Sequence, residues 1–141
     1  MKRVEFEFSA KIKLLNIVEK GIEYFLLNLW KIDEDDIYWF MVGVHEVIVN
    51  AYLHGNKKDE SLPIRVVLML HGGEIIARIS DKGDGFNEND IPDPTSPENL
   101  LKPSGRGILF TKNACDSLRF FREDNWFTVE IKKKVKEVQN A

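Results

Sequence analysis

One stretch of the sequence decides how this chain folds: Glu46-Val47-Ile48-Val49-Asn50-Ala51-Tyr52-Leu53-His54-Gly55. Apolar residues recur through it and before it at three- and four-residue spacing, which predicts a helix over residues 35–54. Val42 and Val49 add apolar side chains to the rest of the circumference. We therefore expect this helix to be largely buried.

Three polar side chains interrupt this apolar helix. Glu46, Asn50 and His54 stand four residues apart, so they fall within roughly 80° of arc on the helix. Polar groups on a buried helix need partners, because an unpaired buried polar group is costly. A solvated face is the alternative, but such a face usually carries several long charged residues, and here these begin only at Lys57. We interpret the column as a site.

The residues before the helix predict a strand and a second helix. Residues 1–8 alternate polar and apolar side chains, which is typical of a half-buried strand. Residues 10–29 carry apolar side chains at helical spacing and predict an amphipathic helix. The acidic run at residues 33–36 is either a solvated charge run or the capped start of the next helix, and we favour the cap because a helical pattern follows.

The residues after the helix predict a β-hairpin that ends in a carboxylate. Residues 64–70 and 74–80 read as strands, and Gly72-Gly73 reads as the turn between them. Asp81 continues the alternation of the apolar set. We therefore expect its carboxylate to leave the second strand on the side that faces the core.

The remaining sequence predicts a loop, a short helix and two final strands. Residues 87–104 hold four of the five prolines and read as a loop or mobile flap. A helix is predicted over residues 108–115, and strands over residues 117–121 and 126–131. The lysine-rich end, about residues 132–141, is expected to be a frayed, solvated tail.

Several of these residues suit nucleotide chemistry, although none is decisive by itself. Asn50 offers an amide oxygen to a hard cation such as Mg²⁺. Glu46, one turn earlier, can take a proton from a hydroxyl or water that attacks a phosphate. Asp81 can accept a hydrogen bond from an exocyclic amine. The Gly-x-Gly pairs Gly83/Gly85 and Gly105/Gly107 allow backbone to approach a ligand, and the second pair precedes a predicted helix.

The order of these parts resembles the GHKL (Bergerat) ATPase family over roughly residues 10–131. Residues 46–55 look like its N box, residues 81–86 like its first glycine box, and residues 105–107 like its second. Within the family, the chain looks most like bacterial anti-sigma-factor serine kinases. The resemblance implies one α+β domain over residues 1–141. This domain would be a two-layer α/β sandwich, with a mixed, mostly antiparallel sheet and helices packed on one face.

The resemblance also implies roles for individual residues. Asn50 would ligate Mg²⁺, Glu46 would be the general base, and Asp81 would accept from the adenine amine of ATP. His54 would line the pocket edge, with capping of the helix end as the alternative. Residues 87–104 would be the ATP lid. The remaining nucleotide contacts would come from Gly83 and Gly85, which make room for the base, and from the backbone amides of Gly105, Arg106 and Gly107.

The sequence departs from the family pattern on its last strand. Family members usually carry a threonine there, near the adenine. Strand parity puts Phe127 at that place and directs Thr128 to the opposite face of the sheet. We therefore do not include Thr128 in the site.

The resemblance implies a protein serine/threonine kinase that phosphorylates a small anti-sigma antagonist and binds a sigma factor. The alternative is a nucleotide-gated binding module with little turnover. A detached histidine kinase domain fits less well, because no helix pair carries a phospho-acceptor histidine. A homodimer through the N-terminal strand and helix is plausible by the same resemblance.

Composition limits the other classes of function. The 141 residues carry a net charge of −3, so neither direct nucleic-acid binding nor a membrane role is expected. No apolar run approaches the roughly 18 residues that cross a bilayer. Cys115 is the single cysteine, which excludes a disulfide framework and a Cys-based zinc site and favours a cytoplasmic location.

Overall fold

Five strands and two helices form the part of the chain that the computed structural model describes, residues 1–83 and 114–136. The strands are β1 (Lys2–Ser9), β2 (Pro63–His71), β3 (Glu74–Asp81), β4 (Ser117–Glu123) and β5 (Trp126–Lys134). Helix α1 (Ile12–Tyr24) continues into a π-helical turn, Phe25–Leu29. Helix α2 (Glu34–Asn50) likewise continues into a π-helical turn, Ala51–Gly55. The predicted order of elements is confirmed over these residues.

The strands form one sheet in the order β1-β2-β3-β5-β4, and all four pairings are antiparallel. Two tight turns set the register. Gly72 and Gly73 both have positive φ angles, as a two-residue hairpin turn of type I′ requires. Asp124, with φ 56°, makes the turn between β4 and β5. This order places β3, which ends in Asp81, in the middle of the sheet.

The helices cover one face of the sheet, as predicted for a two-layer α+β sandwich. Alternate residues of each strand are buried against α1 and α2. On β3 these are Ile75, Ala77 and Ile79, and on β5 they are Val129 and Ile131. The core lies between the sheet and the helices. Asp81 is on the same face of β3 as Ile75, Ala77 and Ile79, so it points toward the helices.

Helix α2 is buried on one face only, so the prediction of a largely buried helix was wrong. Phe40, Val44 and Ile48 are fully buried, whereas Tyr38 and Trp39 are exposed. In a two-layer structure each helix has one layer beneath it and solvent above it. Apolar residues on the outer face therefore remain accessible despite their hydrophobicity.

The acidic start of α2 is a helix cap, as predicted. Asp33 is the N-cap, and its side chain accepts a hydrogen bond from the Asp35 amide at 3.2 Å. Asp36 accepts from the Lys136 amide at 2.8 Å, and the Asp33 amide donates to the Lys136 carbonyl at 2.9 Å. The start of α2 thus also binds the chain that leaves β5.

The predicted frayed tail is wrong as far as Lys136. Strand β5 continues through Lys134, and Lys132, Lys133 and Lys134 pair in register with β3. Paired backbone is compatible with lysine side chains, because their charged ends reach solvent while their stems lie along the surface. Residues 137–141 lie outside the described part of the chain.

The face of the sheet without helices has its own buried carboxylate. Glu130 is 1% exposed and accepts hydrogen bonds from Arg78 at 2.7 Å and from Arg119 at 3.1 Å. Burial alone would raise the pKa of Glu130, but the hydrogen bonds and charges of the two arginines outweigh it and hold the pKa below its usual value. Neighbouring strands β3, β5 and β4 are thereby linked on this face.

Within residues 1–83 and 114–136, neither helix is both long and apolar enough to cross a membrane.

Two neighbouring aromatic residues of α2 test the one-sided burial. Phe40 is 0% exposed and Trp39 is 53% exposed. Phe40→Ala should lower the free energy of unfolding by about 3–5 kcal/mol, because it leaves a cavity between helix and sheet. Trp39→Ala should lower it by less than about 1 kcal/mol. Urea denaturation of both variants measures this, and equal losses would contradict the arrangement.

Candidate functional site

The site is built around Asp81, the last residue of β3. Its side chain faces the helix layer and is 4% exposed. The Gly83 amide donates a hydrogen bond to Asp81 Oδ1 at 2.7 Å. No other hydrogen bond reaches this carboxylate from the described residues. Asp81 Oδ2 is therefore available to a donor that the described part of the chain does not supply.

The protonation of Asp81 is shifted by its surroundings. Burial raises the pKa of Asp81 to about 6, and the hydrogen bond from Gly83 and the positive charge of Arg122 oppose this rise only in part. A buried carboxyl that has a raised pKa and an oxygen without a hydrogen bond from the described residues is a candidate functional group, because a structural role alone would favour a neutral side chain.

Two glycines allow the end of α2 and the end of β3 to meet at Asp81. A methyl group on Gly55 would overlap the Asp81 carboxylate. A methyl group on Gly83 would overlap the Gly55 carbonyl. Both positions therefore need glycine for contact within the protein. The role expected for Gly83 from the sequence, to leave room for the adenine base, is not tested by this contact and remains a prediction.

Asn56 follows directly and was missed by the sequence analysis. It is 2% exposed, and its Nδ2 donates to the Pro63 carbonyl at 3.0 Å. Its Oδ1 accepts from the Lys82 amide at 2.9 Å. No spacing rule marks it, because its partners lie seven and 26 residues away in the sequence.

Glu46 and Asn50 of the predicted column lie on α2, His54 lies in the π-helical turn that follows, and all three are more accessible than expected. Glu46 and Asn50 are half-buried and His54 is exposed. Their side chains make no hydrogen bond within residues 1–83 and 114–136, and solvent access removes the need for one. Asn56 makes the side-chain hydrogen bonds at this helix end; the described residues show none from His54, the capping alternative.

Glu46 also lines a groove between α1 and α2. The groove has a volume of about 440 Å³ and is lined in part by Glu19, Glu23 and His45. His45 Nδ1 and Glu19 Oε1 are 2.7 Å apart across it. The predicted base therefore lies at the surface groove between the two helices.

The other predicted site residues cannot be placed. Gly85, Gly105, Arg106 and Gly107 lie outside the described residues, as do the predicted lid at residues 87–104 and residues 108–113 of the predicted helix. Their roles stay predictions.

The parity argument about Thr128 is confirmed. Phe127 pairs with Asp81 and shares its face of the sheet, whereas Thr128 pairs with Ser80 on the other face. The hydroxyls of Ser80 and Thr128 are 2.7 Å apart and buried. The two hydroxyls share a hydrogen bond on the face of the sheet away from the helices.

The donor set suits a nucleotide better than a metal held by protein alone. Within the described residues, no group of three or more His, Cys, Asp or Glu side chains could hold a metal ion. A hard cation such as Mg²⁺ usually takes one or two protein oxygens and shares phosphate oxygens. The half-buried amide of Asn50 fits that requirement, and Asp81 supplies a separate acceptor.

Comparisons with known proteins agree with this arrangement. A family model described as "Histidine kinase-like ATPase domain" matches residues 8–133. An anti-sigma F factor of Clostridium perfringens is 28% identical over 136 residues, which are 94% of this chain and 95% of the relative. An anti-sigma F factor of Anoxybacillus flavithermus is 28% identical over 102 residues, 69% of this chain and 68% of the relative.

Solved structures show the same fold. The structure of the RsbU and RsbW domains of a Mycobacterium tuberculosis protein matches with a TM-score of 0.69 and 18% identity, covering 99% of this chain and 35% of that one. The histidine kinase AdeS of Acinetobacter baumannii matches with a TM-score of 0.52 and 14% identity, covering 97% of this chain and 70% of that one. At these identities the likeness concerns the fold alone.

The raised pKa of Asp81 predicts a pH-dependent cost to stability. Its folded pKa of about 6 lies above the unfolded value of about 3.9, so its stabilising contribution is complete below about pH 4 and is lost as the pH rises through 6. As the pH rises from 4 to 8, the free energy of unfolding of Asp81→Asn should therefore increase by about 1–2 kcal/mol relative to that of the natural protein.

Urea midpoints measured across this pH range test the prediction. Asp59→Asn is the control, because hydrogen bonds from Ser61 lower the pKa of Asp59 and the sign of its pH dependence is opposite. A gain for Asp81→Asn that does not change with pH would contradict the buried, ionised carboxylate.

Proposed function

The chain belongs to the family of histidine kinase-like ATPase domains, and on that premise we propose that it binds ATP with Mg²⁺ and phosphorylates a protein on serine or threonine. The family match supports ATP binding in general. The finer assignment, an anti-sigma-factor-like kinase, draws on the curated relatives, which are named anti-sigma F factors.

The observation that carries the proposal is the buried carboxylate of Asp81. One of its oxygens binds the Gly83 amide, and the described residues supply no hydrogen bond to the other. An ionised carboxylate is a strong acceptor for the exocyclic amine of adenine. Because its burial destabilises the free protein, a bound amine would repay part of the desolvation.

Asn50, the last residue of α2, would hold Mg²⁺ through its amide oxygen. When bound, Mg²⁺ supplies positive charge that offsets the charge of the phosphates. The side chain of Asn50 is half-buried, so it is restrained by its helix yet accessible from one side. The helix would thus hold the Asn50 amide oxygen in a fixed direction for the ion.

Glu46 would act as the general base for the acceptor hydroxyl. It stands one helical turn before Asn50 and faces the groove between α1 and α2. A carboxylate there can accept the hydroxyl proton while the groove admits the segment that carries the hydroxyl. A protein that only bound nucleotide would have no need of this base.

The proposed partners are a sigma factor and a small antagonist protein that carries the acceptor hydroxyl. A second candidate function is a nucleotide-gated binding module with little or no transfer. It is favoured by the name of the relatives, anti-sigma F factor, which refers to a sigma factor and not to a kinase. Homodimerisation, inferred from the family resemblance, is part of the first proposal.

Removal of the Asn50 amide tests nucleotide binding. Asn50→Ala should weaken Mg²⁺-ATP binding by at least about tenfold, since one charge-assisted ligand is lost. Isothermal titration calorimetry measures the affinity with and without Mg²⁺. Asn28→Ala, an exposed asparagine beyond α1, is the matched control and should bind as the natural protein does. Unchanged affinity in Asn50→Ala would refute the assignment.

Neutralising Glu46 separates the two candidate functions. Glu46→Gln should retain ATP affinity and lose phosphoryl transfer by about 10²–10⁴-fold, because the amide cannot take the hydroxyl proton. Transfer is followed with radiolabelled ATP and a purified candidate antagonist protein. Glu34→Gln, exposed on the first turn of the same helix, is the control.

A fully active Glu46→Gln protein would exclude Glu46 as the base. ATP binding without transfer in the natural protein would favour the nucleotide-gated binding module.

A further inference from the structure

We propose that Asn56 is a positioning residue of the nucleotide site, which orients Asp81 toward the adenine amine and couples it to the end of α2 that carries Asn50. This inference rests on the proposed function. It concerns a residue that lies outside the predicted site and that touches neither of the groups proposed to contact ATP.

Asn56 uses both ends of its side-chain amide inside the protein. Nδ2 donates to the carbonyl of Pro63, which begins β2, and Oδ1 accepts from the amide of Lys82, which follows β3. The Asn56 residue is 2% exposed, and both hydrogen bonds are partly buried. Buried hydrogen bonds of this kind are costly to break, because each leaves an unpaired group behind.

The position of these bonds explains why they act on Asp81. Pairing between β3 and β5 ends with Asp81 and Phe127, so the sheet no longer holds the amide of Lys82. Asn56 binds that amide instead, and the next amide along the chain, that of Gly83, donates to Asp81 Oδ1. Asn56 therefore fixes the peptide between Asp81 and Lys82, and the following peptide, through its Gly83 amide, fixes the direction of the carboxylate.

Contacts from β4, β5 and the turn between them do not replace the hydrogen bond to the Lys82 amide. Lys82 Nζ lies 3.7 Å from the centre of the Trp126 ring and donates to Asn125 at 3.0 Å. Arg122 donates to the Gly83 carbonyl at 2.6 Å. These contacts anchor the Lys82 side chain and a carbonyl, but neither restrains the Lys82 amide.

Asn56 also joins two parts of the proposed site. Its own amide donates to the Ala51 carbonyl at 2.7 Å, which closes the helical turn that directly follows Asn50. One residue thus connects the end of α2 with the end of β3, across the glycine contact of Gly55 and Gly83. Loss of its side chain should loosen the adenine contact while the bulk of the core stays packed.

The experiment compares affinities for ATP and for inosine triphosphate, which has a carbonyl oxygen in place of the adenine amine. The natural protein should prefer ATP, and Asp81→Asn defines the loss of preference when the carboxylate is gone. Asn56→Ala should lower the preference for ATP by about tenfold, as expected when a hydrogen bond to a charged group is misaligned.

The control is Ile75→Ala, a fully buried residue at the opposite end of β3. It weakens the core without touching the site, so it should keep the ATP preference despite a loss of thermal stability. An Asn56→Ala protein that keeps the preference, or an Ile75→Ala protein that loses it equally, would overturn the positioning role.

Amide hydrogen exchange of the unliganded protein gives a second readout. The Lys82 amide should exchange faster in Asn56→Ala than in the natural protein, and faster than it does in Ile75→Ala; unchanged Lys82 exchange would overturn the inference. If Asn56→Ala does not fold, Asn56→Ser takes its place, because its side chain is one bond shorter than that of asparagine and adds no buried charge: a lowered ATP preference supports the role and a retained one contradicts it.

Failure of the two proposals is distinguishable. A natural protein that binds neither nucleotide refutes the ATP site, and the exchange of Lys82 still decides whether Asn56 holds that peptide. A natural protein that prefers ATP, together with an unaltered preference in Asn56→Ala, refutes the positioning role alone.

Discussion

The contact of Asp81 with the backbone of Gly55 is the constraint around which the site is arranged. It requires the end of α2 to approach the end of β3 so closely that neither Gly55 nor Gly83 can carry a side chain. The same approach buries the carboxylate and raises the pKa of Asp81 to about 6. The close approach of the two backbone segments and the raised pKa of Asp81 therefore both result from the same packing of α2 against β3.

The packing of β3 offsets the free-energy cost of burying the Asp81 carboxylate. Strand β3 is held on both sides, by β2 and by β5, and its core residues Ile75, Ala77 and Ile79 pack under the helices. Such burial contributes roughly 25 cal/mol per Å² of apolar surface, which offsets the desolvation of one carboxylate. The sheet divides its two faces: the helix side carries Asp81, and the other side carries Glu130, whose charge is balanced by two arginines. Among the residues that the structure describes, Asp81 on the helix side is thus a buried carboxylate without a hydrogen-bonded cation.

Much of the fold could be predicted because it follows from local periodicity. Alternation located the strands and the face to which Asp81 and Thr128 point, and these assignments are confirmed. The cap at Asp33 and the turn at Gly72 and Gly73 follow from local backbone chemistry in the same way. The predictions that failed depend on neighbours distant in sequence. Apolar periodicity could not reveal that α2 has only one layer beside it, nor that the lysine-rich end would pair with β3 and bind Asp36.

The sequence by itself determined the order of elements, the polar column on α2, the direction of Asp81 and the family, because each depends on residue type and spacing along the chain. Only the tertiary structure decided that Gly55 must be glycine, that Asn56 joins two strands to a helix end, and that Glu46 faces a groove. The physical reason is distance: Asn56 and Lys82 are 26 residues apart in sequence yet 2.9 Å apart as donor and acceptor. Steric contact and hydrogen bonding act between atoms that only folding brings together.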